Sequence, residues 1–209
     1  MAELLGEQIE VRAATLADVP DISRIMNYPP EPPMARLLGS RRASRLGDLL
    51  VRAGAPDALA HTTVAVLNGA VAGVLGCGSP RGMQPAAAQL VRLVPCILVI
   101  LGPGAPRAVY GLWLNRRLHF QPLAGAFPVT ELYVDEALRN RGIGATLLQY
   151  AEEIARGSGA AHMSVETGVT NPARHLYERQ GYQLAETKTN AAYERLTGSP
   201  GRVLLSKDL

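Results

Sequence analysis

The sequence predicts an α/β domain with a mixed central sheet and helices on both faces. Three observations predict it. Short runs of alternating apolar and polar residues recur along the chain, amphipathic runs with helical spacing separate several of them, and one pair is joined by an Asn-Gly turn. Crossovers through helices make parallel pairs and tight turns make antiparallel ones, so both together give a mixed sheet. With 209 residues, 47% hydrophobic and 19% charged, the chain suits one domain, 1–209, with a substantial core.

Ile9 to Ala13 alternates and is expected to be the first strand. Thr15 precedes Asp18 by three residues, a start resembling a capping box, and a helix is expected from Asp18 to Met26. Tyr28-Pro29-Pro30-Glu31-Pro32-Pro33 should be a stiff extended connection. A second helix is expected over about 34–53, with Leu37, Leu38, Leu46, Leu49 and Leu50 inward and arginines 36, 41, 42, 45 and 52 between them. Those arginines read as a solvated face, or as an attraction for an acidic partner or phosphate groups. Thr62–Leu67, Asn68-Gly69 and Ala70–Cys77 form the clearest hairpin.

From about 81 to 127 an insertion is expected, with helical pieces near 84–101 and 106–120 punctuated by Gly and Pro. Its run Ala86 to Leu101 is short for a membrane span, holds Arg92 and Pro95, and breaks at Gly102-Pro103-Gly104. It reads as part of a buried helix pair. The insertion is expected to pack on the sheet and share in the acceptor pocket, with pairing to a second copy in a homodimer as the alternative. After it come a strand over Val129–Asp135, a helix from Ile143 to Arg156, and a strand over His162–Thr167. A short helix follows over Ala173–Gln180, capped by Asn171 with Pro172 at its first position. Strands over Tyr182–Thr187 and Arg202–Ser206 close the chain, joined by a polar loop.

The N-terminus carries acidic residues and no long apolar run, so no signal peptide and a cytoplasmic location are expected. Cys77 and Cys96 lack zinc-type spacing and read as reduced core residues. The four histidines show no metal-ligand spacing, and no metal is expected. Net charge is +3 and aromatics are only 5%, which fits an anionic ligand and speaks against stacking on single-stranded nucleic acid.

The centre of the chain is the strand-to-helix turn Arg139-Asn140-Arg141-Gly142-Ile143-Gly144. Glycines there let the backbone approach a ligand, and the helix that follows offers unpaired N–H groups and a positive dipole end. That is an anion site, suited to a phosphate or pyrophosphate.

This turn, with NPARHLYERQGY (Asn171 to Tyr182) downstream, resembles the GNAT superfamily of acyl-CoA-dependent N-acetyltransferases. The acyl-CoA signature is matched by Arg139, Gly142 and Gly144. Glu136 and Asn140 stand where relatives often carry Pro and Gly. The resemblance covers roughly 9–80 and 128–207 and implies a mixed, mostly antiparallel sheet, with the insertion between the third and fourth strands.

It also implies acetyl-CoA as cosubstrate. The pyrophosphate would lie over Arg139, Asn140, Arg141, Gly142, Ile143, Gly144 and Ala145, and the pantetheine arm along Leu132, Tyr133 and Val134. The N–H near Val134 would face the thioester oxygen. Asn171 would contact the arm, although it serves equally well as a helix cap. Tyr177 matches the tyrosine that protonates the leaving thiolate. Glu131 is the candidate base, with Glu166 as rival and water as intermediary. The acceptor would be a small-molecule amine or a protein amino group, taken directly in a ternary complex. The alternative is a CoA-binding sensor or catalytically idle domain. Neither nucleic acid nor a membrane is expected as partner.

Overall fold

The computed structural model describes residues 2–4, 7–28, 31–78, 84–121 and 123–209. Eight strands form one sheet: β1 (Ala2–Leu4), β2 (Glu7–Ala13), β3 (Thr62–Leu67), β4 (Ala70–Cys77), β5 (Ala126–Val134), β6 (His162–Gly168), β7 (Gln183–Thr189) and β8 (Gly201–Asp208). Their order is β1-β2-β3-β4-β5-β6-β8-β7. Every neighbouring pair is antiparallel except β5 and β6. β1 adds a strand to the seven expected. The β3–β4 turn has Asn68 at φ +52° and Gly69 at φ +80°, the two left-handed residues that a tight hairpin of the right twist requires.

Helices cover both faces. On one lie α1 (Val19–Asn27) and α3 (Ser40–Ala58), whose Ile22, Ile25, Val51 and Ala58 pack on Val64, Val66, Val71 and Val74. On the other lies α6 (Ile143–Gly157), which buries Ile143, Leu147, Leu148, Ala151 and Ala155 against Leu75, Val129, Met163 and Leu205. Ile154, at helical spacing from Leu147 and Ala151, lies at the edge of this face and is 38% exposed.

The start of α1 follows the expected box. Asp18 accepts from the Thr15 N–H and hydroxyl, each at 2.8 Å, and from two Arg12 guanidinium nitrogens at 2.8 Å. The Arg12 bonds hold the carboxyl of this buried residue well below the usual carboxylate range.

Three expectations are corrected. Pro32 and Pro33 open a helix, α2 (Pro32–Leu38), because proline is accepted in a first turn where its missing N–H is not needed. Residues 29 and 30 of that connection lie outside the described residues. The single helix over 34–53 is two, α2 and α3, parted at Gly39 with φ +81°. Within the polar loop lies α8 (Ala191–Thr197), capped by the Asn190 side chain, which accepts from the Tyr193 N–H at 2.9 Å.

The insertion holds α4 (Ala87–Leu101) and α5 (Ala105–Leu118), joined by a bend at Gly102. It packs chiefly on helices rather than on the sheet. Leu101 and Ala108 meet Leu37, Leu38 and Leu46, while Leu114 and Leu118 meet Tyr193 of α8. The expected burial of α4 fails: Leu101 alone of its residues is buried. Cys96 lies exposed on it, against the expectation of a core thiol, whereas Cys77 is buried.

Candidate active site

The site is built where β5 and β6 part. Their parallel pairing runs from Ala126–His162 to Val129–Val165 and stops there. Beyond it, β5 pairs only with β4 and β6 only with β8. A bulge marks the point: Cys77 faces Val129 and Gly76 faces Glu131, so Thr130 is the extra residue. The Asp135 N–H donates to the Ala72 carbonyl at 2.9 Å. Alternation therefore turns the amides of Tyr133 and Glu131 toward β4, and those of Leu132 and Val134 into the gap. Leu132 and Val134 thus offer the edge an extended ligand could pair with. Tyr133, expected beside them on that track, spends its backbone on Val74 of β4.

The end of β5 is held in place. Asp135 accepts from Arg24 of α1 at 2.6 Å and from the Ala137 N–H at 3.0 Å, and the Arg24 bond keeps its carboxyl below the usual range. The Arg139 Nε donates to the Val134 carbonyl at 3.4 Å. The turn then takes two left-handed residues, Asn140 at φ +63° and Gly142 at φ +82°. Asn140 stands where relatives often carry Gly, and asparagine is among the few other residues that tolerate this conformation. Thr146 is the first residue of α6 to bond backward, to the Gly142 carbonyl at 3.0 Å. The N–H groups of Ile143, Gly144 and Ala145 are left without helical partners at the positive end of the dipole. A Cβ on Gly144 would stand 2.9 Å from Leu176 Cδ2, so this glycine lets the next helix, α7 (Arg174–Arg179), come close. Arg139 and Arg141 are exposed beside the turn.

α7 carries Tyr177, buried and edge-on to Tyr182 with ring centroids 5.9 Å apart. Burial raises its pKa well above that of an ordinary phenol, and the carboxylates of Glu31 and Glu131 raise it further. Those carboxylates approach from the opposite side of the sheet. The Tyr133 hydroxyl donates to Glu31 Oε1 at 3.0 Å, and it too is held protonated by desolvation, then by Glu31 and Glu131. Gly76 leaves a lane for Glu131, since a Cβ there would lie 2.9 Å from the Glu131 Cγ. Glu31 escaped the sequence reading. The available signal was a lone acid inside a proline cluster, and its 102-residue separation from Tyr133 hid its partner.

Two other candidates have structural partners. Glu166 binds Arg202, accepts from the Phe120 N–H at 3.2 Å and pairs with His119 at 2.8 Å. Desolvation pushes its carboxyl up, but the His119 bond and the Arg202 charge outweigh that and hold it low. It anchors the end of the insertion to β6. Asn171 Oδ1 accepts from the Ala173 N–H at 2.9 Å and shapes the turn ahead of α7, whose N-cap is Ala173 and not Asn171 as expected, because the helix begins only at Arg174. Burial pushes the Cys77 thiol up to about 11, which removes it as a nucleophile at neutral pH.

A sheet parted beside a bulge, with a glycine turn at one end and a buried tyrosine across the gap, is an architecture for an extended, phosphate-bearing ligand. The chain belongs to the acetyltransferase (GNAT) family, whose description matches residues 39–182. A streptothricin acetyltransferase from Streptomyces lavendulae is 38% identical over 74 residues, 35% of this chain and 34% of that protein. The chain thus spans about a third of the curated relative it matches. Among solved structures, the PaiA N-acetyltransferase of Thermoplasma acidophilum in complex with coenzyme A superposes with a TM-score of 0.61 at 11% identity, covering 97% of this chain and 99% of that one. The Drosophila melanogaster polyamine N-acetyltransferase, which forms N-acetylagmatine, gives 0.59 at 17% identity, covering 97% and 100%.

Proposed function

We propose that the protein transfers an acetyl group from acetyl-CoA to the primary amine of a small cationic acceptor, directly and within a ternary complex. One observation carries this reading: β5 and β6 part after Val129–Val165, which leaves an unpaired strand edge leading to the glycine turn, and the carboxylates of Glu31 and Glu131 lie near enough to buried Tyr177 to raise its pKa. Bound acetyl-CoA supplies an activated thioester. The amides of Ile143 to Ala145, with Arg139 and Arg141, hold its pyrophosphate, and Leu132 and Val134 pair with its amide-bearing arm.

Glu31 and Glu131 attract the ammonium form of the acceptor. An alkyl amine is mostly protonated at neutral pH, so Glu131 accepts its proton, directly or through a water, before the nitrogen attacks. As the C–N bond forms, the Val134 N–H donates to the carbonyl oxygen where charge gathers. Tyr177 gives its proton to the sulfur as the C–S bond breaks. Its raised pKa keeps that proton in place until a thiolate appears within reach. The polyamine and agmatine acetyltransferases among the structural neighbours act on acceptors of this charge, which supports the class.

The test is release of free thiol from acetyl-CoA across a panel of monoamines, diamines, guanidino-amines and neutral amino compounds. Diamines and guanidino-amines should be preferred, and Glu31→Gln should raise their KM by about tenfold with little change for a monoamine. Binding of acetyl-CoA without thiol release from any amine would favour an idle, CoA-sensing domain instead.

A further inference from the structure

The insertion carries an apolar surface that the fold does not cover. On α4, Val91, Leu98 and Val99 are 71%, 53% and 83% exposed, and Val94 lies beside them. On α5, Val109, Tyr110 and Trp113 are exposed, with the last two rings stacked at 5.9 Å. A helix that is apolar on both its packed and its outer side needs a second apolar environment. The charge on the two helices has one sign. From Ala58 to Thr130 the sequence holds no Asp or Glu. Arg92, Arg107, Arg116 and Arg117 are exposed on the two helices, and none of them forms an ion pair among the described residues. Arg117 lies over the Trp113 ring at 4.1 Å. Arg41, Arg42 and Arg45 of α3 extend the same charge, with Arg42 beside the Gly102–Gly104 bend.

From this we infer that α4 and α5 dock the protein on an anionic phospholipid surface, with the valines and leucine in the acyl boundary and the arginines among the headgroups. The joint occurrence of aliphatic face, Trp-Tyr pair and unpaired arginines is what an interfacial helix needs. The helices lie on the bilayer rather than cross it. The stretch Ala87–Leu118 passes for a span by length and composition. However, Gly102, at φ +56°, bends it into helices of 15 and 14 residues. Each is about 22 Å long, short of the roughly 30 Å hydrocarbon core. A second copy of the chain is a poorer occupant, because a two-fold contact through this patch would set arginines against arginines with no acid on the segment to receive them.

This inference is independent of the acetyl-transfer reading and has a built-in reporter, since Trp113 is the chain's one tryptophan. Full-length protein mixed with phosphatidylcholine vesicles containing phosphatidylglycerol should co-float, and its emission should shift to the blue. Added salt should reverse both. Arg116→Glu with Arg117→Glu should weaken partitioning at least about tenfold. Val99→Asp should weaken it too, with thermal unfolding of each variant unchanged. The inference is overturned by failure to co-float with anionic vesicles, by equal partitioning into neutral ones, or by a dimer in light scattering that Val99→Asp dissociates.

Discussion

Asn140 and Gly142 show how single backbone angles decide what the turn can hold. Both are left-handed, and the tolerance differs: asparagine manages the conformation and glycine is at ease in it. Asn140→Gly should therefore leave acetyl-CoA affinity within about threefold and stability within about 0.5 kcal/mol, checked by titration calorimetry and denaturant unfolding. Gly142→Asp is expected to abolish binding, because it puts a carboxylate and a strained Cβ where the phosphates approach. Tyr177→Phe removes one oxygen from a buried ring. It should lower kcat by about 10²-fold or more in a thiol-release assay while leaving the acetyl-CoA Kd nearly unchanged; an unaltered kcat would place the acid elsewhere. Tyr177 stands out in the sequence only through the motif around it, since periodicity alone makes it a core tyrosine, which its burial also makes it. Glu31 was not legible, because its role is set by a contact across 102 positions.

Among elements, the strands and α6 were legible because alternation and helical spacing are local signals, and the β3–β4 turn was placed to the residue. α8 was missed because AAYERLT is short and polar and its Asn190 cap is a weak signal on its own. The parting at Gly39 was missed because a helical pattern continues through it in sequence while one positive φ interrupts it in space. Two ion pairs tie elements together and can be measured. Lys207 of β8 donates to both oxygens of buried Glu152 on α6, at 2.7 and 2.8 Å. Lys207→Met should cost about 2–3 kcal/mol in denaturant unfolding, with Arg156, 3.5 Å from Glu152, limiting the loss. Asp18 behaves differently with pH. Its carboxyl is depressed in the fold, so its contribution is full above the ordinary carboxyl pKa and fades as pH falls toward the folded value. Asp18→Asn should cost about 1–2 kcal/mol at neutral pH, a figure discounted for solvent screening of Arg12, and the gap to wild type should narrow below about pH 4. A gap constant from pH 7 to 3 would show that the pair adds nothing.

For the whole molecule, the two sides of the site come from different parts of the chain. On the proposed reading the donor side is nearly continuous, running from β5 through the turn into α6, so its residues stand beside one another in the sequence. The proposed acceptor side joins Glu31, the N-cap of α2, with the bulged part of β5 and with α7, and only the fold assembles it. The uncovered face of α4 was hidden for a similar reason: an apolar run looks the same in sequence whether it turns toward the core or away. The central claim is that the gap between β5 and β6, with the turn at Gly142, is a seat for acetyl-CoA. Titration calorimetry of the full chain with acetyl-CoA tests it most directly. The account predicts a saturable one-to-one isotherm that Gly142→Asp eliminates, and an absence of heat with the wild-type protein, or an isotherm that the variant preserves, would contradict it.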